Sequence, residues 1–241
     1  MSDLLYDILH MAMERTKHMA RASAHNTLSL VFQDELFPAK VVDFGCGRGD
    51  WLKAAEVLGA KEVLGVEPFG DIAGDIGVPR TTHDLTVPWE YPTRFNLAIC
   101  MEVGEHIDSN STDVLVKSLV DAADIIVWSA AVPGQGGIHH INEQPPAYWS
   151  DKFKSLGYEC YDFRTLWWNN TEIEPWYKQN CLVFSTPGNI LFKNKQQYKV
   201  AQPLHLIHPE LFQGHSERTR NEHVVWDYVD GRWQPSYIPK A

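Results

Sequence analysis

Three groups of residues in this chain have the types and spacing to do chemistry. The first is Glu102-Val103-Gly104-Glu105-His106, where two carboxylates and an imidazole stand at i, i+3 and i+4, on one face of a helical turn. Such a trio can hold a hard divalent cation such as Mg²⁺ or Mn²⁺, or can take a proton from a hydroxyl. The second is the loop from Gly134 to Gln144, which carries His139, His140 and Glu143 and is followed by Tyr148-Trp149. Paired histidines in a glycine-rich loop exceed what a connector needs, and a neutral imidazole can accept a proton or bind a metal. The third is Asp43-Phe44-Gly45-Cys46-Gly47-Arg48-Gly49-Asp50, a turn with glycines at alternate positions.

Glycine lets a backbone turn sharply and approach a ligand closely, so this third group reads as a nucleotide-binding turn. A dinucleotide site usually spaces its glycines G-x-G-x-x-G and aims a helix N-terminus at pyrophosphate. Here the spacing is G-x-G-x-G, and Asp50 at the helix start is expected to repel a diphosphate. A cofactor with a cationic amino acid portion and no phosphate suits the turn better. Glu67 follows Asp43 by 24 residues, where a carboxylate can accept ribose hydroxyls, and Asp84 in His83-Asp84-Leu85 can meet an adenine amino group.

The elements that position these groups alternate. Short apolar runs at Val41–Phe44, Val63–Glu67, Phe95–Cys100 and Ile125–Trp128 have the β-branched content of buried parallel strands. Helical stretches at Trp51–Leu58 and Val114–Ala123 lie between them. A helix at Ala147–Leu156 and strands near Tyr158–Phe163 and Cys181–Ser185 complete the series. The pattern predicts an α/β, doubly wound, mostly parallel seven-stranded sheet with helices on both faces and an antiparallel hairpin at one edge. Its ligands belong at the carboxyl ends of the strands. An amphipathic helix is expected over residues 3–20. The organisation read from this is a helical cap at 1–38, a core at 39–187 and an irregular extension at 188–241, rich in Pro, His, Gln and aromatics, packed on the core.

A formal net charge of −10 with no basic patch disfavours a polyanionic partner, so no nucleic acid is expected. No apolar run reaches the roughly 18 residues that span a bilayer, and Asp3, Asp7 and Glu14 do not fit a signal peptide; a cytoplasmic protein without a membrane partner is expected. Four scattered cysteines form no CxxC pair and read as buried free thiols.

Taken together, the glycine turn, the strand-two acid and the strand-three Asp closely resemble the class I, Rossmann-like S-adenosylmethionine-dependent methyltransferase family over about residues 40–185. The resemblance implies a seven-stranded core and S-adenosylmethionine as cofactor. It places Asp43, Gly45, Cys46, Gly47, Gly49, Glu67, Pro68, Asp84, Leu85, Met101 and Glu102 around that cofactor. Glu-x-x-Glu-His resembles ubiquinone-pathway O-methyltransferases and the small-RNA 3′-terminal 2′-O-methyltransferases; in the latter the two Glu, the His and a distant His bind metal, which here implies Glu102, Glu105, His106 and His140. The Gly-Gly-x-x-His-x-Asn-Glu-Gln loop followed by Tyr-Trp resembles a bacterial and phage methyltransferase group. That likeness makes His140 the first choice for general base or distant ligand and His139 the second, with Glu105 and His106 in support. His139, Glu143, Trp149 and Tyr177 are expected at the acceptor, and Trp167, Trp168 and Trp176 are weighed as an aromatic platform or plain core.

The expected reaction is methyl transfer to an oxygen of a small polar acceptor such as a sugar, nucleotide sugar or surface-glycan precursor. The alternatives are a metal-dependent RNA 3′-terminal 2′-O-methyltransferase, a non-catalytic methyltransferase-like subunit and a dinucleotide oxidoreductase. The first is opposed by the acidic balance, the second by the intact glycine turn and the third by glycine spacing. A homodimer is left open.

Overall fold

The computed structural model describes residues 19–70, 76–216, 222–229 and 232–239. The helix expected at 3–20 falls mostly on residues 1–18, outside the described residues; helix α1 is described over 19–31, beyond the expected end. After it come β1 (Lys40–Phe44), α2 (Asp50–Leu58), β2 (Glu62–Glu67), β3 (Arg80–Thr82), β4 (Leu97–Met101), α3 (Thr112–Ala122), β5 (Ile125–Ser129), α4 (Pro146–Ser155), β6 (Glu159–Tyr161), α5 (Arg164–Trp167), α6 (Pro175–Asn180) and β7 (Leu182–Ser185). The extension adds a 3-10 segment at Ile190–Tyr198, then β8 (Lys199–Val200), α7 (Pro209–Ser216) and the antiparallel pair β9 (Glu222–Val229) and β10 (Arg232–Pro239).

The main sheet runs β3-β2-β1-β4-β5-β7-β6-β8. Strands β3 to β5 are parallel neighbours, and β7 enters antiparallel between β5 and β6. The expected seven strands are present; the eighth is the two-residue β8, which the extension pairs with β6. The extension expected to be irregular thus carries regular elements; β8 at two residues is too short to leave a periodic signal, and the Val-, Trp- and Tyr-bearing run of β9 was passed over.

Alternation along the strands splits the interior in two. Val41, Ile99 and Val127 point to one face, where Ala24, Leu28 and Val31 of α1 and Leu52 and Ala55 of α2 cover them. Val42, Cys100 and Trp128 point to the other, under Leu115 and Leu119 of α3 and Trp149 and Phe153 of α4. The chain leaves β1 toward β2 and β3, then crosses back to β4 on the other side of β1. That reversal opens a crevice beyond the carboxyl ends of β1 and β4, where such sheets bind ligands.

Candidate functional site

At the end of β1 the three glycines of the turn take positive φ: 74° at Gly45, 49° at Gly47 and 96° at Gly49. A Cβ on Gly45 would stand 2.4 Å from Val103 Cγ2, and one on Gly49 would stand 2.3 Å from Val78 Cγ2. Only glycine fits both the conformation and the space. The turn is tied down by its own backbone. Gly45 N–H donates to Val66 O at 2.7 Å, and Gly47 N–H donates to the Glu67 carboxylate at 2.9 Å.

Acids crowd this turn. Asp43 is 2% exposed, and its Oδ2 meets no hydrogen-bond donor among the described residues. Burial, then the Glu67 and Asp50 carboxylates, hold its carboxyl well above the usual range. Burial also raises Glu67, against the pull of the Gly47 and Phe69 N–H groups.

Asp50 stands otherwise than expected. Arg48 pairs with its Oδ2 at 2.6 Å and Arg21 of α1 approaches Oδ1 at 3.5 Å, so its charge is matched locally and does not by itself repel a diphosphate. Sequence adjacency had Asp50 facing a ligand; the fold turns it onto neighbouring guanidinium groups.

The remaining cofactor candidates divide between cleft and core. Pro68 is half-buried beyond Glu67, and Met101 ends β4. Asp84 is exposed, and its Oδ1 accepts Thr86 N–H at 2.9 Å and Thr86 Oγ at 2.7 Å, which hold its carboxyl below the usual range. Leu85 lies in the core with Phe44 and Trp89. Cys46 packs its Sγ over Gly65, and burial pushes its thiol above the usual range. All four cysteines are free and buried.

The acidic motif after β4 departs from a single helical face. Glu102 has φ 54°, and the 3-10 turn begins only at Gly104. The left-handed residue sends the Glu102 carboxylate toward Asn180 Nδ2 at 3.1 Å and Gln135 Nε2 at 3.3 Å. Glu105, His106 and His140 form the cluster that remains, with one ligand atom from each lying within 4.8 Å of the others; Glu102 is outside it. A four-ligand set is therefore reduced to three. Glu102 stays near enough that its charge, after burial, helps push the Glu105 carboxyl well up, against partial relief from the N–H groups of Glu105 and Ala131. Neither Glu105 oxygen closes a hydrogen bond among the described residues.

The histidine loop is laced to this turn. Ile141 and Asn142 N–H donate to Glu105 O at 2.9 and 3.0 Å. Glu143 accepts from Gly134 N–H at 2.7 Å, from Gly136 N–H and from His140 Nδ1 at 3.0 Å. A carboxylate can only accept here, so His140 carries its proton on Nδ1 and presents a bare Nε2, 4.0 Å from Glu105 Oε1. The same reasoning puts the His106 proton on Nδ1, which donates to His139 O at 3.1 Å. Burial and the neighbouring His140 depress His106 to about 4, leaving it neutral near pH 7. A Cβ on Gly137 would lie 2.2 Å from His140 Nε2, so glycine there makes room for the ring.

Three expected acceptor contacts are corrected. Trp149 is 1% exposed, in the core beneath Gly104, its ring 4.7 Å from that of Trp128. Glu143 spends its carboxylate on the loop and His140. Tyr177 is buried edge-on against Trp51, at 5.2 Å. His139 keeps a place beside the cluster at φ 58°, its ring 6.4 Å from His106. Of the aromatic run, Trp167 is core, and Trp168 meets His208 at 4.7 Å.

Sequence reading missed Ser23 and Glu174. Ser23 Oγ donates to Glu174 Oε2 at 3.2 Å and accepts Glu174 N–H at 2.9 Å, joining α1 to the start of α6. Burial holds the Glu174 carboxyl well up, eased by Ser23 and then reinforced by the Asp50 and Glu102 carboxylates. Their separation of 151 residues leaves no local signal.

Residues 15–121 match a family model described as a methyltransferase domain, a span that includes the glycine turn and Glu105-His106 but not the histidine loop. The ubiquinone biosynthesis O-methyltransferase of Proteus mirabilis (strain HI4320) is 35% identical over 91 residues, which cover 34% of this chain and 37% of the relative. The match thus spans little more than a third of that relative's length. Among solved structures, the magnesium protoporphyrin IX methyltransferase from Synechocystis PCC 6803 with bound SAM superposes with TM-score 0.54 at 16% identity, covering 73% of this chain and 83% of that one. An amino pentose methyltransferase from Micromonospora echinaspora gives TM-score 0.52 at 13% identity, covering 77% and 98%. Both share the fold. Among the described residues no helix is long and apolar enough to cross a membrane.

Proposed function

We propose, from the premise that this chain is a class I S-adenosylmethionine-dependent methyltransferase, that it methylates a hydroxyl oxygen of a small polar acceptor with His140 as general base. The observation that carries this is the Glu143–His140 pair, which takes up Nδ1 at 3.0 Å and leaves Nε2 facing Glu105 Oε1 at 4.0 Å. When bound, the cofactor supplies an electrophilic methyl group on a cationic sulfur. The residues fit it: the glycine cradle tolerates no Cβ at Gly45 or Gly49, and Asp43 and Glu67 set buried carboxyls where a cation offsets the cost of their ionisation. Asp43, the backbone at Gly45, Gly47 and Gly49, and Glu67 would hold its amino acid and ribose portions, with Asp84 near the adenine.

The chain's own part is alignment and proton removal. His140 Nε2 accepts the proton that the acceptor hydroxyl loses, and Glu143 on Nδ1 keeps the ring in the tautomer that can do so. Glu105 Oε1 faces the imidazolium that results, and that cation favours the ionised form of a carboxyl which burial and Glu102 otherwise hold up. The 35% identical stretch shared with an O-methyltransferase supports oxygen as the target, and a sugar or nucleotide sugar is the acceptor class we favour. Calorimetry with S-adenosylmethionine, followed by transfer of its labelled methyl group to a panel of sugars, nucleotide sugars and amines, tests the reading. Transfer to amines alone overturns the oxygen assignment, and absence of cofactor binding overturns the whole.

A second reading is favoured by the convergence of Glu105, His106 and His140. Two imidazoles and a carboxylate would hold Mn²⁺ more readily than Mg²⁺, which prefers oxygen ligands. A bound cation there would orient acceptor hydroxyls. Titration with Mn²⁺ separates the two readings, because methyl transfer insensitive to chelator removes the second.

A further inference from the structure

The chemistry above makes no use of Gln179, although it is fully buried. Its Oε1 accepts the backbone N–H of His208, in the C-terminal extension, at 2.8 Å. Its Nε2 donates to Gln135 Oε1 at 3.0 Å, and Gln135 Nε2 donates to the Glu102 carboxylate at 3.3 Å. Asn180 Nδ2 braces both, at 2.9 Å to Gln135 and 3.1 Å to Glu102. A backbone N–H can only donate and an ionised carboxylate can only accept, so each amide between them has one allowed orientation. Gln135 and Asn180 are nearly as buried as Gln179, so little water competes and the bonds polarise one another. The same stretch of extension is fastened at its ends. Arg164 donates to Leu204 O at 2.8 Å, and Lys178 pairs with Glu210 at 3.0 Å.

We propose that Gln179 is a positioning residue through which residues 204–210 of the C-terminal extension orient the Glu102 carboxylate, at the junction of the cofactor and acceptor halves of the cleft. The inference rests on the cofactor reading above and adds to it a place for Glu102, one residue past β4, facing the cationic sulfur. S-adenosylmethionine and S-adenosylhomocysteine differ by one methyl group and that charge. The ratio of their dissociation constants therefore reports how well a carboxylate is aimed, whereas a merely structural lesion weakens both alike.

Calorimetry on the full chain with both nucleosides tests this. Glu102→Gln is expected to shift the ratio about fivefold against S-adenosylmethionine, and Gln179→Leu at least about threefold in the same direction. Lys178→Met removes the ion pair to Glu210 at the end of the segment while His208 keeps its bond to Gln179, so it should leave the ratio as it was. If Gln179→Leu does not fold, Gln179→Met gives the same readout, since it keeps the length of the side chain without adding a charge and loses the donor to Gln135. A ratio unmoved by the Gln179 variants while Glu102→Gln shifts it overturns the relay and leaves the cofactor reading intact. A ratio unmoved by Glu102→Gln also overturns it, because no charge is then being aimed. If the wild-type chain binds neither nucleoside, it is the cofactor reading that fails, and the relay falls with it.

Discussion

The glycine-turn half of the cleft and the histidine-loop half are built by opposite means. In the first, backbone conformation makes the site: three residues at positive φ, two of them without room for a Cβ, and a carboxyl oxygen beside them that meets no donor among the described residues. In the second, side chains make the backbone: Glu143 gathers two loop N–H groups and an imidazole, and the Glu105 carbonyl gathers two more N–H groups. A site made of backbone should fail by losing its ligand. One held by side chains should fail by losing reaction rate.

The largest expected effect is at His140. His140→Ala should slow methyl transfer about 100-fold or more while leaving cofactor affinity within about threefold, as removal of a general base does; calorimetry alongside turnover reads both, and lost cofactor affinity would mean the two halves are not separable. Next is Gly45→Val, which forces a β-branched residue into positive φ and into Val103. It should reduce cofactor affinity more than tenfold and cost about 2–4 kcal/mol in stability, read by calorimetry and denaturant unfolding. Glu143→Ala should slow turnover about tenfold by freeing the loop and the His140 tautomer, with cofactor binding nearly unchanged. A matching loss of cofactor affinity would show that the loop supports the glycine turn as well. Trp149→Phe should destabilise the fold by about 1–2 kcal/mol and leave the acceptor KM alone; a raised KM would return Trp149 to the acceptor site.

The smallest effect is in the pH dependence of the unliganded protein. The folded-state carboxyl of Asp43 is raised above its unfolded value of about 3.9 by burial and by Glu67 and Asp50. Between those two values the native state binds more protons than the unfolded one, so stability falls as pH rises through that window. Asp43→Asn removes this group's share, and thermal unfolding from pH 4 upward should show a shallower decline than in the wild type. An equal slope would mean that Asp43 is not strained when ionised.

How far each half could be read from residues follows from the same contrast. Gly45, Gly47, Gly49, Asp43 and Glu67 were legible because glycine spacing and strand-end acids are local signals, and strand alternation places them at one edge of a parallel sheet. His140 with Glu105 and His106 was legible as a candidate cluster. The departure of Glu102 from it was not, since the helical reading assumed ordinary backbone at a residue that adopts φ 54°. Asp50 and Glu143 were read as facing ligands because their partners, Arg21 in one case and loop N–H groups in the other, meet them only in the folded chain. Trp149 could not be told from an acceptor contact until its packing against Trp128 was seen.

The sequence by itself determined the order of the parallel strands and the helices between them, the crevice and the residues able to turn the backbone there, because hydrophobic period and glycine spacing act within a few residues. Tertiary structure alone decided which carboxyls are paired and which are not, through contacts such as Ser23 with Glu174 and His208 with Gln179. A charge is matched by whatever packs against it in space, and proximity across 151 residues is a product of the whole sheet rather than of any segment.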